Sequence, residues 1–361
     1  MSNKNGPAIK AKSFLIVCFR FIGDVLVTTP LAYSISQAFP HARIDYLIFE
    51  GTEGVLANNP NISNVITLPR DQKNLKHLAS LFRSYDVAIA ANISDRACIA
   101  AAIAGKYSVG FTRDSGKEWW KGYALNATVN YDDGVHVVWN LLMLLSPLDI
   151  VPLPRMVVNY GPDEIALVKT LIPASDYVLL HPYSKGSYKY WPVQHWGQLA
   201  GMIRERLGYT VVFTTTPVAE DQNYLKEILA SAPATTQVMR SAGSLTQLAA
   251  CIGASKAFIG VDTAVTHMAG AIGVPVFALY GSSWTQYWAP WPNDVREKSP
   301  FAANKGIQTV SNVTVIQKDW ECVPCNKEIC RISSRNRVEC LDELSVEEVF
   351  NVILERLRKT P

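Results

Sequence analysis

The chain has 361 residues, 48% of them apolar and 18% charged, with a formal net charge of +3. That length exceeds one ordinary hydrophobic core and suits two domains. The small net charge and the lack of a long Lys/Arg run leave no basis for a nucleic-acid binder. No run of about eighteen apolar residues is present to span a membrane. The polar, basic start leads into a short apolar run broken by Arg20 and Asp24. It reads as a buried strand and a helix start, not a signal peptide, and the expected location is cytoplasmic.

Short apolar runs at 13–19, 43–49, 64–68, 86–91 and 107–111 predict strands, with helical patterns at 24–38, 51–56, 73–84 and 95–104 between them. Such alternation means right-handed βαβ units and a parallel sheet covered on both faces. Pro30 kinks the first helix or marks its real first turn. A buried helix over 136–145 closes this half. Pro147, Pro152, Pro154 and Pro162 form a hinge, after which the pattern restarts. Strands are expected at 177–181, 210–215, 256–260 and 274–280, with helices at 193–206, 219–230, 244–253 and 263–272. A capped amphipathic helix, 345–359, ends the chain, with Ser345 followed by Glu347 and Glu348. The fold class is therefore α/β, with two Rossmann-like doubly wound parallel-sheet domains facing a cleft, 1–155 and 156–344, then a final helical segment, 345–361. Ligands in such sheets bind beyond the carboxyl ends of the strands.

Three segments there carry chemistry. Arg20-Phe21-Ile22-Gly23-Asp24 follows the first strand. It lacks G-x-G-x-x-G, so a nicotinamide site is weakly supported. Asp24 reads as an N-cap or as a general base beside the cation Arg20. The loop from His181 to Pro192 offers Ser184, Lys185, Gly186 and Lys189, a set suited to phosphate although no Walker motif is present. Phe258–Ala271 reads as a strand end, Asp262-Thr263 at a helix start, and His267 one turn in. A helix start suits a diphosphate or a polar sugar, and Asp262 and Thr263 are also good capping residues. Asn92, Asp95, Arg96 and Arg113 lie at or after strand ends of the first half, and with Arg20 they form an acceptor-side set. Its arginines suit carboxylates or phosphates bidentately.

Cys18, Cys98 and Cys251 read as core thiols. Cys322, Cys325, Cys330 and Cys340 form C-x2-C-x4-C-x9-C in the loop 320–341. Four thiolates can hold zinc, but the spacing is not that of a common zinc ribbon, and a structural loop cluster without metal is preferred. Trp119-Trp120 and Trp284, Trp288 and Trp291 read mainly as packing. The stretch Lys117–Lys121 is also a candidate for lipid-surface contact, against the alternative of a buried Trp pair.

R-F-I-G-D-V-L-V-T-T-P at 20–30, H-P-Y-S-K-G-S-Y-K-Y-W-P at 181–192 and F-I-G-V-D-T-A-V-T-H-M-A-G-A-I-G-V-P at 258–275 together resemble glycosyltransferase family 9, the heptosyltransferases. The resemblance runs from about Ser13 to the final helix. The first block looks most like the heptosyltransferase III branch, and the Cys-rich tail is similar to that of the heptosyltransferase II type. It implies a GT-B architecture, with acceptor bound by the first domain, nucleotide-sugar by the second, and the last helix returning to the first. It also implies ADP-L-glycero-β-D-manno-heptose as donor and the inner core of lipopolysaccharide as acceptor, at the inner membrane face. Transfer would be inverting, in one displacement, with no metal and no cofactor, by a monomer in peripheral membrane contact.

On matching positions, Asp24 takes the general-base place and Lys189 that of the lysine binding the donor diphosphate. Ser184 falls near the phosphates, Asp262 and Thr263 around donor sugar and phosphate, His267 on the motif's helix histidine, and Glu220 near the adenosine ribose. A carboxylate of pKa about 4 is a weak base, but the proton need move only as the bond to an oxocarbenium-like centre forms. Alternatives are a family member with another donor or acceptor, a sugar-nucleotide epimerase, and a catalytically silent binding protein.

Overall fold

Two sheets, in each of which six parallel strands follow the same order, organise the chain, which a computed structural model describes over residues 10–70, 75–113, 117–330 and 338–359. By contacts the chain divides into two compact units, Met1–Asn159 with Arg296–Lys298 and Tyr160–Val295 with Ser299–Pro361. The two doubly wound α/β domains expected from the sequence are present.

The first sheet contains β1 (Ser13–Cys18), β2 (Arg43–Phe49), β3 (Asn64–Leu68), β4 (Tyr85–Ala90), β5 (Gly105–Thr112) and β6 (Ala127–Asn130), in the order β3-β2-β1-β4-β5-β6. All its pairings are parallel. The continuous apolar run Phe14–Cys18 is wholly buried, as a strand covered on both faces requires. Its helices are α1 (Ile22–Leu26), α2 (Thr29–Ala38), α3 (Leu75–Ser80), α4 (Asp95–Ala104), α5 (Lys121–Ala124) and α6 (Val137–Leu142). Alternate residues Leu15, Val17, Leu47, Phe49, Ala88 and Ala90 form one face, packed on Ala97, Cys98 and Ala101 of α4 and on Leu78 of α3. Small residues on α4 let it lie close to the strands.

The second sheet contains β7 (Tyr177–His181), β8 (Thr210–Phe213), β9 (Gln237–Val238), β10 (Ala257–Val261), β11 (Val276–Leu279), β12 (Gln308–Val310) and β13 (Val313–Ile316). Its order is β12-β13-β11-β10-β7-β8-β9, parallel except for the edge strand β12. Its helices are α7 (Pro162–Leu171), α8 (Val193–Leu207), α9 (Ala219–Ser231), α10 (Leu245–Gly253), α11 (Ala264–Ile272), α12 (Thr285–Trp288), α13 (Glu339–Asp342) and α14 (Val346–Lys359). Val349, Phe350 and Ile353 of α14 are wholly buried and join Trp196, Leu199 and Ile203 of α8 in this unit's own core. Each such side chain contributes about 1.5–3 kcal/mol by burial.

Several local expectations change. The helix predicted over 24–38 is two, α1 and α2, and Pro30 sits in the first turn of the second, where its missing N–H costs nothing. Helix α7 begins at Pro162, with the Glu164 carboxylate accepting from Gly161 N at 2.8 Å, so the last hinge proline is a helix start. The helix expected over 73–84 is helical at Leu75–Ser80, and residues 73 and 74 lie outside the described residues. The buried Trp pair is split: Trp120 packs against the first core, whereas Trp119 is 70% exposed. Among the described residues no helix is long and apolar enough to cross a membrane.

Candidate functional site

In a doubly wound sheet the strand order reverses at one point, and the loops leaving the two central strands diverge there into a crevice. In the first sheet this point lies between β1 and β4. The loop after β1 delivers Arg20 and Asp24; the loop after β4 delivers Asn92 and Asp95. Asp24 is the third residue of α1 and Phe21 takes the N-cap place, so the capping role suggested by the sequence belongs to neither carboxylate oxygen in the ordinary way. Asp24 Oδ2 instead accepts from Phe21 N at 3.3 Å, and Oδ1 faces Arg20 Nε at 3.4 Å. Both contacts are long and the side chain is 23% exposed, which leaves the carboxylate reachable.

Tyr131 joins this group although the sequence did not point to it. Its phenol is pushed up to about 12 by burial, then by Asp133 and Asp24, with Arg113 and Arg20 opposing. The Arg113–Asp133 pair, at 2.9 Å, stands beside this residue, with Arg113 4.7 Å above its ring. Arg96 is placed differently. Its guanidinium lies over the rings of Phe19 and Phe49, at 5.2 and 4.9 Å, and donates to the Arg70 carbonyl at 3.1 Å. Arg70 in turn covers Phe21 at 5.0 Å and donates to the Arg20 carbonyl at 3.2 Å. No motif surrounds Arg70, and only the fold reveals it. Asn92 accepts from Ser94, the N-cap of α4, at 2.9 Å. Asp95 is exposed and turned towards Lys121, 3.6 Å away.

In the second sheet the reversal lies between β7 and β10. The loop after β7 ends in a 3₁₀ turn, Ser187–Lys189, and the chain leaving β10 begins with Asp262. Lys189 Nζ is 2.6 Å from Asp262 Oδ2, and Ser283 Oγ donates to the same oxygen at 2.7 Å. Ser184 Oγ donates to the Asp262 carbonyl at 2.9 Å. Burial opposes ionisation of Asp262, but the Lys189 ammonium and the Ser283 hydroxyl outweigh it and hold the carboxyl below its usual range. Burial likewise opposes the charge on Lys189, and Asp262 overrides it upwards. Tyr188, Gly281 and Ser282 line the pocket around the pair.

Thr263 is the N-cap of α11 in extended conformation and its side chain makes no capping bond, while Asp262 is committed to Lys189. The capping alternative thus fails for both side chains. A Cβ on Gly260 would come within 2.7 Å of the Phe258 ring and 2.9 Å of Thr266 Oγ1, so only glycine lets β10 pass this close to α11. His267 is buried on α11 and adds to the positive field at Asp262. Glu220 is exposed in the first turn of α9 and lies near the Tyr190 phenol, whose hydroxyl donates to the neighbouring Asp221. The structure brings Ser184, Lys189, Asp262, Thr263 and His267 together and leaves Glu220 at the edge. Ser283 was missed; its only sequence signal is a short hydroxyl run just beyond the carboxyl end of β11.

Among the described residues, no group of three or more His, Cys, Asp or Glu is placed to hold a metal ion. Cys322 and Cys325 are exposed and Cys340 is buried. The Cys340 thiol is pushed up to about 12 by burial and then by the other three cysteines of the loop.

The chain is 27% identical to lipopolysaccharide heptosyltransferase 3 of Escherichia coli over 295 residues, 76% of this chain and 85% of that protein. Its fold is similar to that of a glycosyltransferase family 9 protein from Veillonella parvula DSM 2008, with a TM-score of 0.75, 19% identity, and 97% and 98% of the two chains covered. It is also similar to E. coli ADP-heptose lps heptosyltransferase II, with a TM-score of 0.72, 20% identity, and 96% and 99% covered. The model of Glycosyltransferase family 9 (heptosyltransferase) matches residues 75–313. With two doubly wound sheets and polar residues gathered at both reversal points, the chain belongs to glycosyltransferase family 9 and is a glycosyltransferase.

Proposed function

We propose that this enzyme transfers heptose from ADP-L-glycero-β-D-manno-heptose to the inner core of lipopolysaccharide, with inversion, at the cytoplasmic face of a membrane. Two of the similar proteins named above are lipopolysaccharide heptosyltransferases, and the name of one of them includes ADP-heptose. One observation carries the donor side: an ammonium, two serine hydroxyls and a helix start without a side-chain cap meet at the reversal point of the second sheet. That set fits a diphosphate, because cationic and N–H donors face one small volume.

Asp24 acts as the base on the acceptor. Its carboxylate takes the proton of the attacking hydroxyl as that oxygen bonds the anomeric carbon, and the bond to the diphosphate oxygen breaks on the opposite face. ADP leaves with the bonding electrons, and Lys189 offsets the charge that develops on it. Thr263 and His267 orient the donor sugar and phosphate, Ser184 and Glu220 serve the phosphate and ribose ends, and Arg20 and Arg113 hold acidic groups of the acceptor.

The test incubates purified protein with ADP-heptose and a lipopolysaccharide core acceptor, following ADP release and product mass. Asp24→Asn is expected to fold as the wild type and to lose at least about 10²-fold in turnover. An undiminished rate removes Asp24 from the base role. Turnover confined to another nucleotide-sugar reassigns the donor.

A further inference from the structure

We propose that the outer side of the α3–α4–α5 layer is a docking face for an anionic lipid surface. It rests on the reading above in one respect: an enzyme with a lipid-anchored acceptor has a surface to sit on. The helices α3, α4 and α5 cover one face of the first sheet, with Leu78, Ala97, Cys98, Ala101 and Trp120 turned inward. Their outward side carries Phe82, Ile99, Trp119 and Tyr123, which are 68%, 43%, 70% and 86% exposed. These are four of the six exposed large apolar side chains described in the first unit, the others being Phe21 and Val151, so the exposure is concentrated on one layer.

The members are tied together. Trp119 and Tyr123 meet edge to face with ring centroids 5.9 Å apart. The wholly buried Lys121 side chain donates to the Ile93 carbonyl at 2.7 Å and fixes α5 to the start of α4. At the far end of α4, Arg83 N donates to the Ile103 carbonyl at 2.9 Å and seats Phe82 there. Between these ends Ile99 points outward from a helix with no charged residue beyond its first two positions.

Charge selects the occupant. The acidic groups of the layer are paired: Glu118, largely covered, pairs with Lys121 at 3.2 Å and accepts from Arg113 N at 2.8 Å, and Asp95, exposed, lies 3.6 Å from the same ammonium. Lys117 and Arg83 are exposed beside Trp119 and Phe82. Amphipathic aromatic rings flanked by cations suit the headgroup region of an anionic bilayer.

The experiment sediments the full chain with phosphatidylcholine vesicles containing or lacking phosphatidylglycerol, with no donor or acceptor present. Wild type is expected to bind the anionic vesicles, more weakly as salt rises. Trp119→Ser/Tyr123→Ser should lose at least about tenfold in partitioning with an unchanged thermal melt, since both side chains face solvent. Lys117→Glu/Arg83→Glu should lose a similar amount while keeping the aromatic residues. In turnover, the aromatic double variant should raise KM for vesicle-embedded acceptor and leave a deacylated, soluble acceptor unaffected. Equal vesicle binding by wild type and variants overturns the proposal, as does no binding by wild type. A wild-type dimer that the aromatic variant dissolves overturns it in favour of a second copy. If neither acceptor is used, the functional reading fails while the vesicle result stands on its own.

Discussion

Asp262 Oδ2 accepts from both Lys189 and Ser283, so one carboxylate oxygen aims an ammonium and a hydroxyl together. Removing the hydroxyl takes away one of the holds on that oxygen and lets the ammonium drift. Ser283→Ala is therefore expected to raise donor KM about 3–10-fold with a smaller change in kcat, and Ser283→Thr to restore it. Steady-state kinetics with varied donor checks this; a pure kcat loss would contradict it. The pair also has a pH signature. Asp262 is held below its usual range, so its contribution to stability is present above an unfolded pKa of about 3.9 and is lost as pH falls through the folded value. Lys189 is raised, so its share is present below about 10.4 and is lost only as pH rises through its folded value. The stability gap between wild type and Asp262→Asn should stay flat from about pH 5 to 9 and shrink in acid, as denaturant titrations can show. Lys189 and Asp262 were each legible in their motifs. Their partnership was not, because 73 residues separate them and only the parallel pairing of β7 with β10 brings them together. Ser283, Arg70 and Tyr131 were invisible for the same reason: each gains its role from tertiary neighbours, with no local pattern to mark it.

The element that sets the proposed donor loop is β7, and it ends in a buried histidine. His181 is held down to about 3 by burial. Its Nδ1 lies 2.8 Å from Thr214 Oγ1, and that hydroxyl also reaches the Leu180 carbonyl at 3.3 Å, so the neutral ring has a hydrogen-bond partner in the core. In the unfolded chain the ring takes up a proton near pH 6.5, and between there and about 3 the unfolded state binds more protons. Stability should then fall as pH drops through this window, by a few kcal/mol in all, and His181→Gln should flatten that slope in denaturant titrations. Long strands and helices with full apolar periods were readable. Short ones such as β9, of two residues, and α5 and α12, of four each, were not, because two to four residues carry no period. The final helix was readable by its stripe, and Phe350→Ala on it should cost about 3–5 kcal/mol by leaving a cavity in the second core.

At the scale of the whole molecule, each sheet owns a core, and the proposed donor-side and base-side residues stand on different sheets. If ADP binds the second unit, calorimetry should show that unit's transition rising, by about 2.7 kcal/mol of added stability at a hundredfold excess over Kd, with the first unit's transition unmoved. Asp24→Asn should leave this shift intact and Lys189→Met should reduce it. The Lys189–Asp262 contact also bears on selectivity in a solution crowded with small anions. A carboxylate tethered 2.6 Å from the ammonium acts as a resident counter-ion at high effective concentration. Stray inorganic phosphate or sulfate must displace it alone, whereas a nucleotide-sugar brings its base, ribose and sugar contacts along. On the proposed donor role of this site, the resting ion pair would work as a filter that favours a ligand with several simultaneous attachments.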